Sequence, residues 1–183
     1  MKKLFLMAVL SASFIACKSP EGNNQNNQLT PSTPSLSSST KEAVVIKDYG
    51  KEPLVINIED YTIENETFRS SIWTGDLFQL TVMSIPVGSE IGIEMHDDIE
   101  QFLRIEKGDG EVFMGDAEDA LSYSKIVGDD DIIIVPAGKW HNVKNIGDEP
   151  LKIYSIYAKP EHPFGTIHKD KAESDAAHAE HHH

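Results

Sequence analysis

The feature that most constrains this chain is a series of short strand-like runs between Ala43 and Ala158, each closed by turn residues. The runs are Ala43–Lys47, Leu54–Glu59, Phe78–Pro86, Ile91–His96, Gln101–Glu106, Glu111–Gly115, Ser122–Val127, Asp131–Val135, His141–Asn145 and Leu151–Ala158. Gly88, Gly108-Asp109-Gly110, Gly128-Asp129-Asp130 and Asn145-Ile146-Gly147-Asp148 supply the reversals, because Gly, Asn and Asp tolerate the backbone angles that turns need. Strands at short, regular spacing with no sustained helical period predict an all-β sandwich or barrel. At 183 residues the chain has room for one such domain with ends to spare.

The ends read differently. Lys2 and Lys3 precede an apolar run, Leu4–Ala16, that ends at Cys17. That run is shorter than the roughly 20 residues a membrane-spanning helix needs and suits the apolar region of a secretory signal. The ending Phe14-Ile15-Ala16-Cys17 resembles the lipobox of bacterial lipoproteins, with Phe14 at the place usually held by Leu. Cys17 is the chain's one cysteine and has no disulfide partner within it, so lipidation at Cys17 is the expectation. The expected compartment is the cell envelope, with the lipid anchor as the sole contact with membrane. Residues 17–42 are rich in Asn, Gln, Ser, Thr and Pro and read as a tether. The boundaries expected are 1–16 for the signal, 17–42 for lipidated Cys and linker, 43–160 for the folded domain and 161–183 for a C-terminal tail whose last ten residues are loose.

Charge narrows the partners. The whole chain carries a formal −14. Removing residues 1–16 takes away Lys2 and Lys3, leaving 14 basic against 30 acidic residues and a net −16. Phosphate backbones and anionic lipid need a basic face, so no nucleic-acid partner is expected, and a small molecule is.

Two stretches carry a resemblance. Gly88-Ser-Glu-Ile-Gly-Ile-Glu94-Met-His96, continuing to Gln101 and Gly108, resembles the first cupin motif, with Glu94 at the place of its first His and Gln101 at the place of its acid. Asp130 through Pro136-Ala-Gly138, His141 and Asn145 resembles the second, with Asp130 replacing its opening Gly. The stretch from Phe68-Arg-Ser-Ser-Ile-Trp73 to the tail pattern His162-Pro-Phe-Gly-Thr166-Ile-His168 is similar to a group of short bacterial cupins labelled mannose-6-phosphate-isomerase-like. The resemblance implies a single cupin barrel, that is a double-stranded β-helix or jelly roll. It also implies that Glu94 and Gln101 are traits of that group.

The residues support a site in their own right. Strand residues two apart share a face, which puts Glu94 with His96, and Gln101 with Leu103 and Ile105. Gln101 stands nearest the turn, and His141 arrives after the tight Pro136-Ala-Gly138 turn. Two imidazole nitrogens, a carboxylate oxygen and an amide oxygen suit one divalent transition metal, Mn, Fe, Co, Ni or Zn. The expected metal ligands are therefore Glu94, His96, Gln101 and His141, with Glu94 also the expected catalytic group as ligand or adjacent base. The alternative is a set of hydrogen-bonded core groups in a barrel without metal.

Weaker readings attach to other residues. Arg104 and Glu106 form a surface or interface pair. Trp140 either walls the pocket or packs outside. Tyr123, Tyr154 and Tyr157 pack as core, or one donates a proton near the metal. His162 and His168 pin the tail, and His178 with His181 to His183 either binds metal or is an added tail. An apolar stripe of Ile91, Ile93 and Met95 facing away from the site is expected to make a homodimer. The fold selects no reaction. Two readings stay open: a metal-dependent enzyme of isomerase, lyase or dioxygenase type acting on a small polar molecule, and a non-catalytic module that binds a ligand or sugar.

Overall fold

The computed structural model describes residues 43–181. Cys17, the expected signal and linker, His182 and His183 lie outside the described residues.

Among the described residues, nine strands form two antiparallel sheets. They are β1 (Arg69–Thr74), β2 (Gln79–Ile85), β3 (Gln101–Lys107), β4 (Gly110–Gly115), β5 (Tyr123–Val127), β6 (Ile132–Val135), β7 (Trp140–Asn145), β8 (Leu151–Tyr157) and β9 (Ile167–His168). The larger sheet has the order β6-β3-β8-β2-β1-β9 and the smaller β5-β4-β7. Between them lies an apolar core that includes Phe68, Met83, Ile85, Leu103, Ile105, Val112, Val143 and Ile153. The fold is thus all-β in its main body, but it is a jelly-roll-like sandwich and not a closed barrel. The chain passes from β5 to β6 through a turn in which Asp130 takes φ 67° and Asp131 accepts from Gly128 N–H at 2.9 Å. The two strands then enter different sheets. A cavity of about 400 Å³, lined by Met114, Tyr123, Lys125 and Ile134, lies at those edges.

The three central strands of the larger sheet change character along their length. Ile85 pairs with Leu151, Met83 with Ile153, Thr81 with Ser155 and Gln79 with Tyr157; across β8, Ile153 pairs with Ile105, Ser155 with Leu103 and Tyr157 with Gln101. Residues directly opposite each other face the same side of a sheet. The inner face therefore runs from rows of branched aliphatics at one end to Gln79, Tyr157 and Gln101 at the other. That polar row marks the site.

Several elements differ from the expectations. Leu54–Glu59 is not a strand; a helix, α1 (Ile58–Glu64), begins there. Asn57 caps it, its Oδ1 accepting from Glu59 N–H at 3.1 Å, and Glu59 and Asp60 place negative charge in the first turn, where the helix dipole favours it. Ala43–Lys47 forms no strand either. Ile91–His96 is not a regular strand: the segment from Glu90 to Glu94 pairs with β7 in isolated bridges of Glu90 to Lys144 and Glu94 to His141, because Gly92 takes φ 114° and breaks the extended backbone. The same break turns Ile91 into the core at 5% exposure and leaves Ile93 outside at 44%, so the expected outward stripe does not form. The first part of the tail packs on the sheet, β9 pairing with β1, but the stretch expected to be loose continues as a second helix, α2 (Lys171–His181).

Candidate metal centre

Glu94, His96, Gln101 and His141 are all buried at the polar end of the sandwich. Paired backbone hydrogen bonds, Glu94 N–H to His141 O at 3.0 Å and His141 N–H to Glu94 O at 2.9 Å, set two of them side by side. The Pro136–Lys139 turn serves both halves. Gly138, at φ 73°, donates its N–H to the His96 carbonyl at 2.7 Å before the chain enters β7. The spacing that brings these residues together is therefore a matter of one turn and one pair of bridges.

Glu94 Oε1 lies 3.4 Å from His141 Nε2 and 3.7 Å from His96 Nε2. Ligand atoms of these three residues all fall within 4.8 Å of one another. An ion that holds ligands at ~2.1 Å places adjacent ones ~3.0 Å and opposite ones ~4.2 Å apart. The cluster needs only a small contraction to match.

His141, Gln101 and His96 each use their second polar atom to hold the side chain in place. His141 Nδ1 faces the Lys139 carbonyl at 3.0 Å, which puts the ring proton on Nδ1 and frees the Nε2 lone pair. Gln101 Nε2 donates to Ser155 Oγ at 3.1 Å, turning its amide oxygen the other way. His96 Nδ1 faces Glu161 Oε1 across 3.4 Å. What is left over is Glu94 Oε1, His96 Nε2, Gln101 Oε1 and His141 Nε2, all four buried without a hydrogen-bond partner. Buried polar atoms are normally paired, and leaving one unpaired costs about 1–3 kcal/mol. Three orphaned lone-pair donors within 4.8 Å of one another fit a cation, and Gln101 Oε1 is orphaned as well.

The local field points the same way. Burial alone would raise the Glu94 carboxyl, but the adjacent imidazoles of His141 and His96, with the charge of Arg69, hold it well below the usual range. Burial disfavours a charged His96, yet Glu161 and Glu94 outweigh it and raise its pKa to about 9. Carboxylates that stabilise a proton on His96 also stabilise a divalent ion at the same nitrogen.

Three further residues support the site and were not singled out from sequence. Glu161 comes from the expected tail. Gln79, fully buried, fixes that tail: its Oε1 accepts from the N–H of Glu161 at 3.3 Å and of His162 at 2.9 Å, and its Nε2 donates to His162 O at 2.8 Å. Ser155 orients Gln101. A polar Gln79 and Thr81 on the same face as Met83 and Ile85 was the available signal for β2. Of the three tyrosines, Tyr157 stands at the site, its ring edge-on to His96 at 5.7 Å, and burial first, then Glu94, pushes its hydroxyl up to about 12. Tyr123 is exposed and Tyr154 stacks on Phe102. Trp140 is half-buried beside His141, and Arg104 pairs with Glu106 at 2.6 Å away from the site.

The comparisons agree with the geometry. The cupin domain family matches residues 81–157, which includes every candidate ligand. The uncharacterized protein YrkC of Bacillus subtilis (strain 168) is 54% identical over 134 residues, covering 73% of this chain and 72% of that protein. Protein L612 of Acanthamoeba polyphaga mimivirus, also uncharacterized, is 34% identical over 114 residues, 62% of this chain and 69% of that one. The crystal structure of BH2720 from Bacillus halodurans superposes with a TM-score of 0.71 at 53% identity, covering 72% of this chain and 99% of the other. A Klebsiella pneumoniae protein with a double-stranded β-helix domain, 20% identical with a TM-score of 0.50 over 65% of this chain and all of that one, shares the fold. From motif, sandwich and relatives alike, the chain belongs to the cupin family.

Proposed function

We propose that the protein is a metal-dependent cupin that takes a small, polar, oxygen-bearing molecule at a centre formed by Glu94, His96, Gln101 and His141. The supporting observation is the clustering of ligand atoms of Glu94, His96 and His141 within 4.8 Å, with Gln101 Oε1 buried and unpartnered as they are. Two nitrogens and two oxygens of intermediate hardness suit Mn, Fe, Co, Ni or Zn. Such an ion, when bound, polarises a carbonyl or hydroxyl oxygen and lowers the pKa of bound water. The chain's own residues do the rest. Glu94 Oε1 faces both imidazoles, which leaves its second oxygen to take or return a proton. Tyr157 stays protonated and can donate. Ser155 and Glu161 hold Gln101 and His96 in orientation. With one ligand carboxylate, the centre keeps a net charge of about +1, which favours an oxygen donor of anionic character.

Elemental analysis of protein purified without added histidines tests this. About one transition-metal equivalent per chain is expected, and it should be lost in His96→Ala and in His141→Ala. Full occupancy in the double variant would place the metal elsewhere.

Attachment to the cell envelope through Cys17 is part of the same proposal, supported by Lys2-Lys3, the apolar run and the lone cysteine. The full chain should partition with membranes and Cys17→Ser should not. A Cys17→Ser protein that stays membrane-bound contradicts the anchor.

A further inference from the structure

A second group of unsatisfied atoms lies beside the candidate metal centre, and it is organised around Arg69. This guanidinium is 4% exposed. Its side-chain hydrogen bond is to a neutral hydroxyl, NH1 to Ser174 Oγ at 3.1 Å, and its Nε is buried with no acceptor. A buried cation is ordinarily paired with an anion. The acids that line the cavities at Arg69 are turned elsewhere: Glu94 and Glu161 face the histidines, and Asp175 pairs with Lys171.

Arg69 lines two neighbouring cavities. One, of about 210 Å³, is also lined by Glu161, His162, Thr166, His168 and Ser174. The other, of about 50 Å³, is lined by Gly92, Glu94 and Ser174. His168 is the cross-strand partner of Arg69 between β9 and β1, so the two side chains share a face. His162 Nε2 and His168 Nδ1 are likewise buried without partners. One fixed cation and two imidazoles thus border the larger cavity, and Arg69 with Ser174 also borders the smaller one, which Glu94 lines.

We propose that Arg69, with His162 and His168, is a binding subsite for the carboxylate of a small organic acid, whose second oxygen function reaches the Glu94–His96–His141 cluster. The single positive charge matches a monoanion. Glu94 and Glu161 at the edges oppose a dianion such as inorganic phosphate. The cavity is small for a drug-sized ligand and suits an acid of a few carbons. The subsite stands on Arg69 alone; the second half, the oxygen at the metal, rests on the proposed function.

The test uses the side-chain Nε–H signals of 15N-labelled protein. The chain has two arginines, Arg69 and Arg104, so Arg104→Lys assigns both. Acetate is titrated against metal-free and zinc-loaded protein, with acetamide as the uncharged mimic and inorganic phosphate as the dianion. Acetate should move the Arg69 signal with half-saturation at roughly 1–10 mM. Acetamide should bind at least about 10-fold more weakly, since it lacks the charge-assisted pair. Arg69→Met, which lacks that signal, should remove the acetate-induced shifts of the His162 and His168 ring signals seen in the wild type; if that variant does not fold, the wild-type Arg69 signal decides alone. An Arg69 signal that acetate leaves unmoved, or that phosphate moves at lower concentration, overturns the subsite. Protein that takes up no zinc but whose Arg69 responds to acetate keeps the subsite and sinks the metal reading. Zinc-loaded protein whose Arg69 ignores acetate does the reverse.

Discussion

Glu161 Oε1 stands 3.4 Å from His96 Nδ1, so a residue from beyond the last long strand orients a ligand candidate from the middle of the chain. A carboxylate behind an imidazole fixes its tautomer and raises its basicity toward a metal, and its loss typically costs 10–100-fold in metal affinity. Glu161→Gln should weaken retention of zinc by about that factor in competition with a chelator, with the fold unchanged by circular dichroism. Unchanged retention would mean that His96 is held by its backbone alone.

Gln79 ties β2 to the segment that carries Glu161. Its amide meets Ser71, Thr74, Glu161 and His162, and it is fully buried. Gln79→Leu leaves several of those groups unsatisfied, at about 1–3 kcal/mol for each one that water cannot reach. We expect a loss of about 2–4 kcal/mol in urea unfolding, and weaker metal retention through Glu161. A variant as stable as the wild type would show that the tail is held by β9 and α2 instead.

How much of this was legible beforehand follows from where each residue sits. Glu94, His96, Gln101 and His141 lie within two short stretches whose turns and two-residue spacing can be read directly; the structure gathers ligand atoms of Glu94, His96 and His141 within 4.8 Å and buries Gln101 opposite Tyr157 in the polar row. Glu161, Arg69 and His168 have no such spacing, since Arg69 and His168 meet through the β1–β9 pairing and Glu161 is placed by Gln79 from β2. β1 was missed because both of its faces are covered near its start, with Arg69, Ser70, Ser71 and Ile72 all buried. That erases the apolar–polar alternation from which strands are read. Leu54–Glu59 reads as a strand because Leu54, Val55 and Ile56 form an apolar run; Asn57 followed by Glu59 and Asp60 is the signal for the helix that starts at Ile58. The sandwich differs from the expected barrel because the turn at Asp130 sends β5 and β6 into separate sheets, which short strand runs do not encode.

His162 makes stability depend on pH. Burial first, and the charge of Arg69 second, lower its pKa from 6.5 to about 2. The unfolded chain then binds a proton that the folded one refuses, so stability is full above about pH 6.5 and falls as pH drops toward 2. One pH unit in that window costs about 1.4 kcal/mol. The ring packs edge-on to Tyr157 at 5.2 Å, so His162→Phe should keep the contact while losing the titration. Urea unfolding should show the wild type losing about 2 kcal/mol more than the variant between pH 6.5 and pH 5. Equal losses would place the proton uptake elsewhere.

The central claim is that one ion sits among four named atoms, and anomalous difference density at the absorption edge of the metal found by elemental analysis tests it most directly. A single peak within about 2.1–2.3 Å of Glu94 Oε1, His96 Nε2, Gln101 Oε1 and His141 Nε2 is the expected result. Featureless density there in metal-replete crystals, or a peak held only by His178 and the C-terminal histidines, would contradict it.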